Sequence, residues 1–252
     1  MSDPRFENIA SDLRTWLAQQ QSTGKERVHV DWERVKQIQQ GAKALRRESG
    51  SVARKVDSTE ASAQAEALRV LAQEVAGCVK CKLHSTRTQT VFGVGNPNAD
   101  LVFVGEAPGR DEDLQGEPFV GMAGKLLTKI ISAIGFERED VYICNVLKCR
   151  PPQNRDPQPD EVAQCEPYLL RQLEILQPKV ICALGRVAAQ TLLQTRESLT
   201  RMRGRVHDYH GIPMMVTYHP AALLRNPNWK RPTWEDVQKL RALHDELVGG
   251  ED

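Results

Sequence analysis

Four carboxylates, Glu106, Asp111, Glu112 and Asp113, fall within eight residues of one another in the stretch GEAPGRDEDLQGEPFVG, Gly105 to Gly121. Four glycines share that stretch and allow a backbone to approach a ligand closely, and Phe119 adds an aromatic face. Acids, bare backbone and one ring suit a planar polar guest. A solvated acidic turn is the plain alternative, yet such a turn needs neither four glycines nor two prolines nor a phenylalanine. Phosphate is the wrong guest, because GEAPG lacks the lysine and Ser/Thr of a phosphate-cradling loop and its carboxylates repel anions.

The six cysteines offer a second kind of chemistry. Cys78 and Cys81 form a C-x2-C pair, the spacing that grips one face of a metal centre; Cys149 and Cys165 stand sixteen positions apart across a proline-rich stretch. Four thiolates fit tetrahedral zinc and a four-iron cluster equally on ligand count, and with no ligand position left open the centre is expected to be structural. Cys144 and Cys182 lie in the apolar runs VYICNV and KVICALG and read as small buried hydrophobes.

These groups need a scaffold, and the chain supplies one. With 252 residues, 40% of them hydrophobic and 27% charged, it has the composition of a globular domain of ordinary size plus an appendage. A net charge of +1 leaves the partner open, since a nucleic-acid binder can confine its basic surface to one face. MSDPRFENIA has no basic-then-apolar leader and no run approaches roughly 18 apolar residues, so a cytoplasmic protein without a membrane span is expected. In that compartment disulfides are the poorer use of cysteine.

Residues 1–75 read as the appendage. Phe6, Ile9, Leu13, Trp16 and Leu17 fall at helical spacing, a weaker helix runs from Trp32 to Leu45, and GAKALRRESGSVARKVDSTEASAQ reads as a mobile basic linker. A helix from Ala61 to Ala76 leads into the C-x2-C pair. Residues 76–250 then alternate: strand 101–106, helix 123–134, strand 141–147, helix 160–176 capped by Asp160, strand 179–184, helix 186–194, a hairpin at His210-Gly211, strand 213–218 and helix 233–248. That order predicts an α/β fold with a parallel sheet and helices on both faces, its ligand at the carboxyl ends of the strands. No oligomer signal is present, and a monomer is expected.

In order and spacing, GEAPGRDED with GEPFVGMAGKLL, YICNVLKCRPPQNRDPQPDEVAQC, ICALGRVAAQ and YHPAALLRNP make the chain resemble the family-4, iron-sulfur uracil-DNA glycosylases of bacteria and archaea, over residues 75–248. The resemblance implies a three-layer α/β/α sandwich around a short, mainly parallel sheet, and a [4Fe-4S] cluster rather than zinc on Cys78, Cys81, Cys149 and Cys165. It implies hydrolysis of the N-glycosidic bond of deoxyuridine flipped out of single- or double-stranded DNA, releasing uracil and leaving an abasic site.

Chemistry makes sense of the matching residues. Phe119 is expected to stack the flipped base, and Asn145 to pair the N3–H and O4 edge of uracil while mismatching cytosine. By resemblance Glu112 fills the space of a thymine methyl group, with Ala107 beside it in the pocket. His219 is expected to hydrogen-bond the uracil O2 as negative charge develops, and Glu106 to hold the attacking water or steady the cationic sugar. Leu223 or Leu224 reads as the wedge that fills the gap left by the base, and Arg225 as a DNA contact. Lys125, Arg150, Arg155, Arg201, Arg203 and Arg205 are further phosphate candidates.

The chain departs from many family members at Ala107 and Ala221, both small, where glycine and serine are common. It lacks the basic insert through which a related branch attaches covalently to uracil. Two other classes of function remain: an inactive, metal-stabilised nucleic-acid-binding module whose appendage docks a repair or replication protein, and a zinc-stabilised nucleotide-binding domain. Glu106, Asn145 and His219 together argue against the first, and the missing glycine-rich phosphate loop against the second.

Overall fold

The computed structural model describes residues 58–249. Both helices expected before residue 46, and the basic residues Lys43 to Lys55, lie outside the described residues. The remaining chain opens with α1 (Ser58–Ala76), followed by a 3-10 turn at Lys82–Ser85, β1 (Val94–Gly95) and β2 (Leu101–Gly105). Then come α2 (Arg110–Gln115), α3 (Met122–Ala133), β3 (Tyr142–Asn145), α4 (Pro159–Leu176), β4 (Val180–Leu184) and α5 (Arg186–Leu192). The chain closes with α6 (Leu199–Met202), β5 (Val206–Tyr209), β6 (Ile212–Thr217), α7 (Pro220–Arg225), a 3-10 turn at Pro227–Trp229, and α8 (Lys230–Gly249).

The six strands form one sheet in the order β1-β3-β2-β4-β6-β5, parallel through the four central strands and antiparallel at both edges. Every residue of β2, β3 and β4 is buried, as expected of strands covered on both faces. The two-residue period divides them. Val102, Val104, Cys144, Ile181 and Val216 pack with Leu169 and Leu173 of α4, while Leu101, Phe103, Ile143, Cys182 and Met215 pack with Leu127 and Ile131 of α3 and Leu240 of α8. This is the expected three-layer sandwich, and Cys144 and Cys182 are the core residues their apolar runs predict.

Among the differences from the sequence reading, three concern the chain around α1 and α4. The linker stretch ends in helix from Ser58 onward, with Gln64 Nε2 donating to the Ile175 carbonyl at 3.1 Å. Leu71 and Val75 of α1 pack with Cys149, Cys165 and Tyr168, so α1 belongs to the body rather than to the appendage. Asp160 does not cap α4: the cap is Gln158, whose N–H donates to Glu161 Oε2 at 2.9 Å, and Asp160 sits inside the first turn.

After β3 the chain crosses to the other side of β2 to make β4, so the strand order reverses beside β2. The crevice at such a reversal, beyond the carboxyl ends of the strands, is where open α/β sheets hold ligands. The register brings those ends level: Gly105 pairs with Asn145, and Leu184 with Thr217.

Candidate active site and thiol centre

One cleft of about 870 Å³ opens at these strand ends. Its lining takes in Glu106 and Ala107 after β2, Glu112 on α2, Phe119, Asn145 at the tip of β3, His219 after β6 and Arg225 at the end of α7. The sequence separates Phe119 from His219 by a hundred positions, yet their ring centroids lie 5.5 Å apart with planes inclined 32°.

Phe119 is buried and adopts φ 54°, a left-handed conformation in which a bulky residue is strained. Gly105 makes this arrangement possible. A Cβ there would collide with Asn145 Oδ1 and come within 2.7 Å of Phe119 Cζ, so the glycine is required by the two side chains that lie over it. Asn145 is 2% exposed, and its Oδ1 is buried without a hydrogen-bond partner. Leaving such an oxygen unpaired costs about 1–3 kcal/mol, and a ligand N–H offered in the cleft would recover it.

His219 caps α7: the Ala221 N–H donates to its Nδ1 at 3.1 Å. That bond assigns the proton of the neutral ring to Nε2, leaving an N–H donor. Burial, and secondarily the Arg225 charge, push the imidazole down to about 4, so the ring is neutral at physiological pH. Glu106 is shifted the other way, up to about 7, by burial first and the Asp156 carboxylate second, against an opposing pull from Arg186. A neutral donor and a carboxyl poised near neutrality therefore share one cleft.

Glu112 Oε1 accepts the Val120 N–H at 3.3 Å, which ties α2 to the segment carrying Phe119. Asp113 is buried rather than a solvated turn acid; it accepts Thr88 N–H at 2.9 Å and Thr88 Oγ1 at 2.7 Å. The GEAPG stretch expected to be loop thus continues into a short helix, anchored from below by one of its own acids.

At the rim, the two leucines part company: Leu223 is buried at 2% exposure and belongs to the core, whereas Leu224 is 46% exposed. Several arginines proposed for phosphate are occupied. Arg155 makes a two-pronged ion pair with the buried Glu161 at 2.9 and 2.6 Å, Arg203 bonds Asp236 at 2.8 Å, and Arg205 bonds Glu197 at 2.7 Å. Arg150 bonds Asn154 at 2.7 Å, and neither it nor Lys125 or Arg201 lines the cleft.

Cys78, Cys81, Cys149 and Cys165 line a second, small cavity between α1, α4 and the loop after β3. All four are free thiols, and Arg87 Nη1 donates to Cys149 Sγ at 3.1 Å while the Lys148 N–H donates to Cys165 Sγ at 3.2 Å. Among the described residues no three His, Cys, Asp or Glu side chains are placed to hold a single metal ion. Four soft sulfur donors around one cavity, with N–H donors on two of them, suit a thiophilic metal centre.

The sequence reading missed Lys148. It is 1% exposed, and its Nζ donates to the Asn145 carbonyl at 2.7 Å and to Gln172 Oε1. Gln172 in turn donates to the Phe92 carbonyl at 3.0 Å and lies 3.3 Å from the Tyr142 hydroxyl. A lysine in NVLKC carries no mark of burial in sequence; only the strand's neighbours reveal it. The pair Asp156 and Arg186, 3.3 Å apart at the rim beside Glu106, was missed for the same reason.

The uracil DNA glycosylase superfamily model matches residues 92–239. A type-4 uracil-DNA glycosylase of Archaeoglobus fulgidus is 50% identical over 186 residues, covering 71% of this chain and 94% of that protein. Those of Sulfurisphaera tokodaii and Thermotoga maritima are, in turn, 48% identical over 71% of this chain and 85% of that protein, and 45% identical over 71% of this chain and 95% of that protein. With the fold, the cleft and these likenesses in agreement, the chain belongs to the uracil DNA glycosylase superfamily and, within it, to the type-4 uracil-DNA glycosylases.

Proposed function

We propose that this protein removes uracil from DNA by hydrolysing the N-glycosidic bond of a deoxyuridine turned out of the strand, in single- and double-stranded DNA alike. The observation that carries this reading is the buried, unpartnered Oδ1 of Asn145 beside Phe119. Uracil offers an N3–H donor next to the O4 acceptor, so one carboxamide pairs with both: Oδ1 accepts N3–H and Nδ2 donates to O4. Cytosine presents the reverse pattern and would leave both groups unpaired in a dry pocket.

The other residues follow the charge. As the C1′–N1 bond breaks, the electron pair leaves with the base and the sugar becomes cation-like. His219 Nε2–H donates to the uracil O2, where that negative charge collects; a neutral donor stabilises the anion without first giving up a proton. Glu106 as a carboxylate faces the cationic sugar and orients the water whose oxygen bonds C1′. Glu112 lies where a C5 methyl group would go and excludes thymine. Arg225 contacts the backbone, and the exposed Leu224, rather than the buried Leu223, enters the gap in the stack.

The four thiols fit a [4Fe-4S] cluster, which when bound would clamp the C-x2-C segment to the loop after β3 and to α4. It would brace β3 from behind, through Lys148 and the Asn145 carbonyl, and would take no part in the reaction. Incubation with a uracil-containing oligonucleotide, followed by alkali, tests the whole reading. Strand scission at the uracil is expected, and an intact strand would remove the activity.

A further inference from the structure

The cleft is larger than its proposed guest. About 870 Å³ is the scale of a site for a drug-sized ligand, well beyond what one pyrimidine fills. The same cleft is also lined by Tyr218 and Trp229, stacked with centroids 5.0 Å apart and planes inclined only 11°. Trp229 is 36% exposed, a large apolar surface left open at the mouth of a polar cleft.

The pair is braced. The Arg203 guanidinium lies over the Tyr218 ring at 5.1 Å, and is itself held by Asp236 at 2.8 Å and by the Pro232 carbonyl. Asp236 also accepts from Thr217 Oγ1 at 2.9 Å, one residue before Tyr218. On the other member, Thr233 Oγ1 donates to the Trp229 carbonyl at 2.7 Å, and the Trp229 N–H donates to the Asn226 carbonyl at 3.2 Å. A rigid, partly exposed aromatic pair beside the exposed Leu224 and Arg225 has the make-up of a base-stacking platform: flat π-surface flanked by an apolar wedge and positive charge.

We propose that the Tyr218–Trp229 stack seats a second nucleobase, an unpaired neighbour of the extruded uridine in single-stranded DNA. This rests on the glycosylase reading and extends its substrate to at least a dinucleotide. In a duplex the neighbouring base keeps its own stack and partner, so the platform matters most for single strands. Stacking is indifferent to base identity, and the platform therefore raises affinity without imposing a sequence.

The test uses the full chain, Trp229→Ala and Trp229→Phe, on single-stranded oligonucleotides containing one deoxyuridine. In matched oligonucleotides a tetrahydrofuran residue replaces the neighbouring nucleotide on the 5′ or the 3′ side. Trp229→Ala is expected to raise KM roughly tenfold, the worth of one stacked base, and by more than it lowers kcat. Trp229→Phe should recover most of the loss. With the tetrahydrofuran on the side that meets the platform, wild type should weaken to the level of Trp229→Ala, and the variant should lose nothing further. Equal loss for every oligonucleotide, or no loss, overturns the platform. Fluorescence anisotropy with the same strands reads binding without turnover: a chain that binds in this pattern but releases no uracil keeps the platform and sinks the activity, and release of uracil without the pattern does the opposite.

Discussion

Lys148 Nζ donates to the backbone carbonyl of Asn145 at 2.7 Å from a position only 1% exposed. Three residues apart at the end of β3, they connect the pocket to the thiol cavity, which Lys148 and its neighbour Cys149 also line. Burial pushes the Lys148 pKa down, and its hydrogen bonds to the Asn145 carbonyl and Gln172 Oε1 make it a post in the core. Replacing it by methionine strands Gln172 Oε1 and the Asn145 carbonyl, and should cost about 2 kcal/mol of stability with a fall in kcat. Adding Gln172→Leu should restore part of the melting temperature but not the kcat. Restoration of both would mean that the lysine acts on stability alone.

The carboxamide itself should matter far more to catalysis. Asn145→Ala is expected to lower kcat/KM for uracil release by about 10²–10³-fold, the cost of losing one directed set of hydrogen bonds in a dry site. A steady-state assay on a single-stranded substrate checks it. Wild-type rates in the variant would withdraw the recognition role.

Activity should rise with pH through about 7, because Glu106 acts as the carboxylate and burial holds its proton on up to that point. Asp156→Asn removes a charge that raises this value and should move the midpoint of kcat/KM to lower pH; Arg186→Gln should move it higher. Stability runs the other way. The folded carboxyl has the higher pKa, so between about 4.5 and 7 the native state binds more protons than the unfolded chain, and the stability this group supports at low pH is lost across that window. Glu106→Gln should therefore melt above wild type at pH 8 and level with it near pH 4.

Glu112→Ala should open room for a C5 methyl group and raise thymine release by about 10–100-fold, the discrimination a methyl-sized gap supports. Asp113→Asn, which weakens the anchor to Thr88 under the same helix, should give a smaller gain in the same direction. Parallel time courses on uracil- and thymine-containing strands measure the ratio. An unchanged ratio in Glu112→Ala would take the exclusion role away from it.

Anaerobically purified protein should be brown and contain iron, and Cys149→Ala should bleach it and lower the melting temperature by on the order of 10 °C, since a cluster held by the four thiols would clamp the C-x2-C segment, the loop after β3 and α4 around their shared apolar contact. A colourless wild-type sample that contains zinc would replace the cluster by a single ion.

Much of this was legible in the chain. Continuous apolar runs, proline and glycine breaks, and the C-x2-C pair are local signals, and they determined the main strand and helix order, the helices on both faces of the sheet and the four thiols as one set. GEAPGRDED, the asparagine ending an apolar strand and the HPAALLRN run identified the pocket's members. Tertiary structure alone decided what depends on neighbours distant in sequence: that Leu223 is core and Leu224 exposed, that Asp113 anchors where Glu112 lines the cleft, that Arg155 and Arg203 are spent on buried acids, and that Lys148 is a core post. Burial and hydrogen-bond partnership belong to pairs of residues brought together by folding, and no single stretch of sequence carries them.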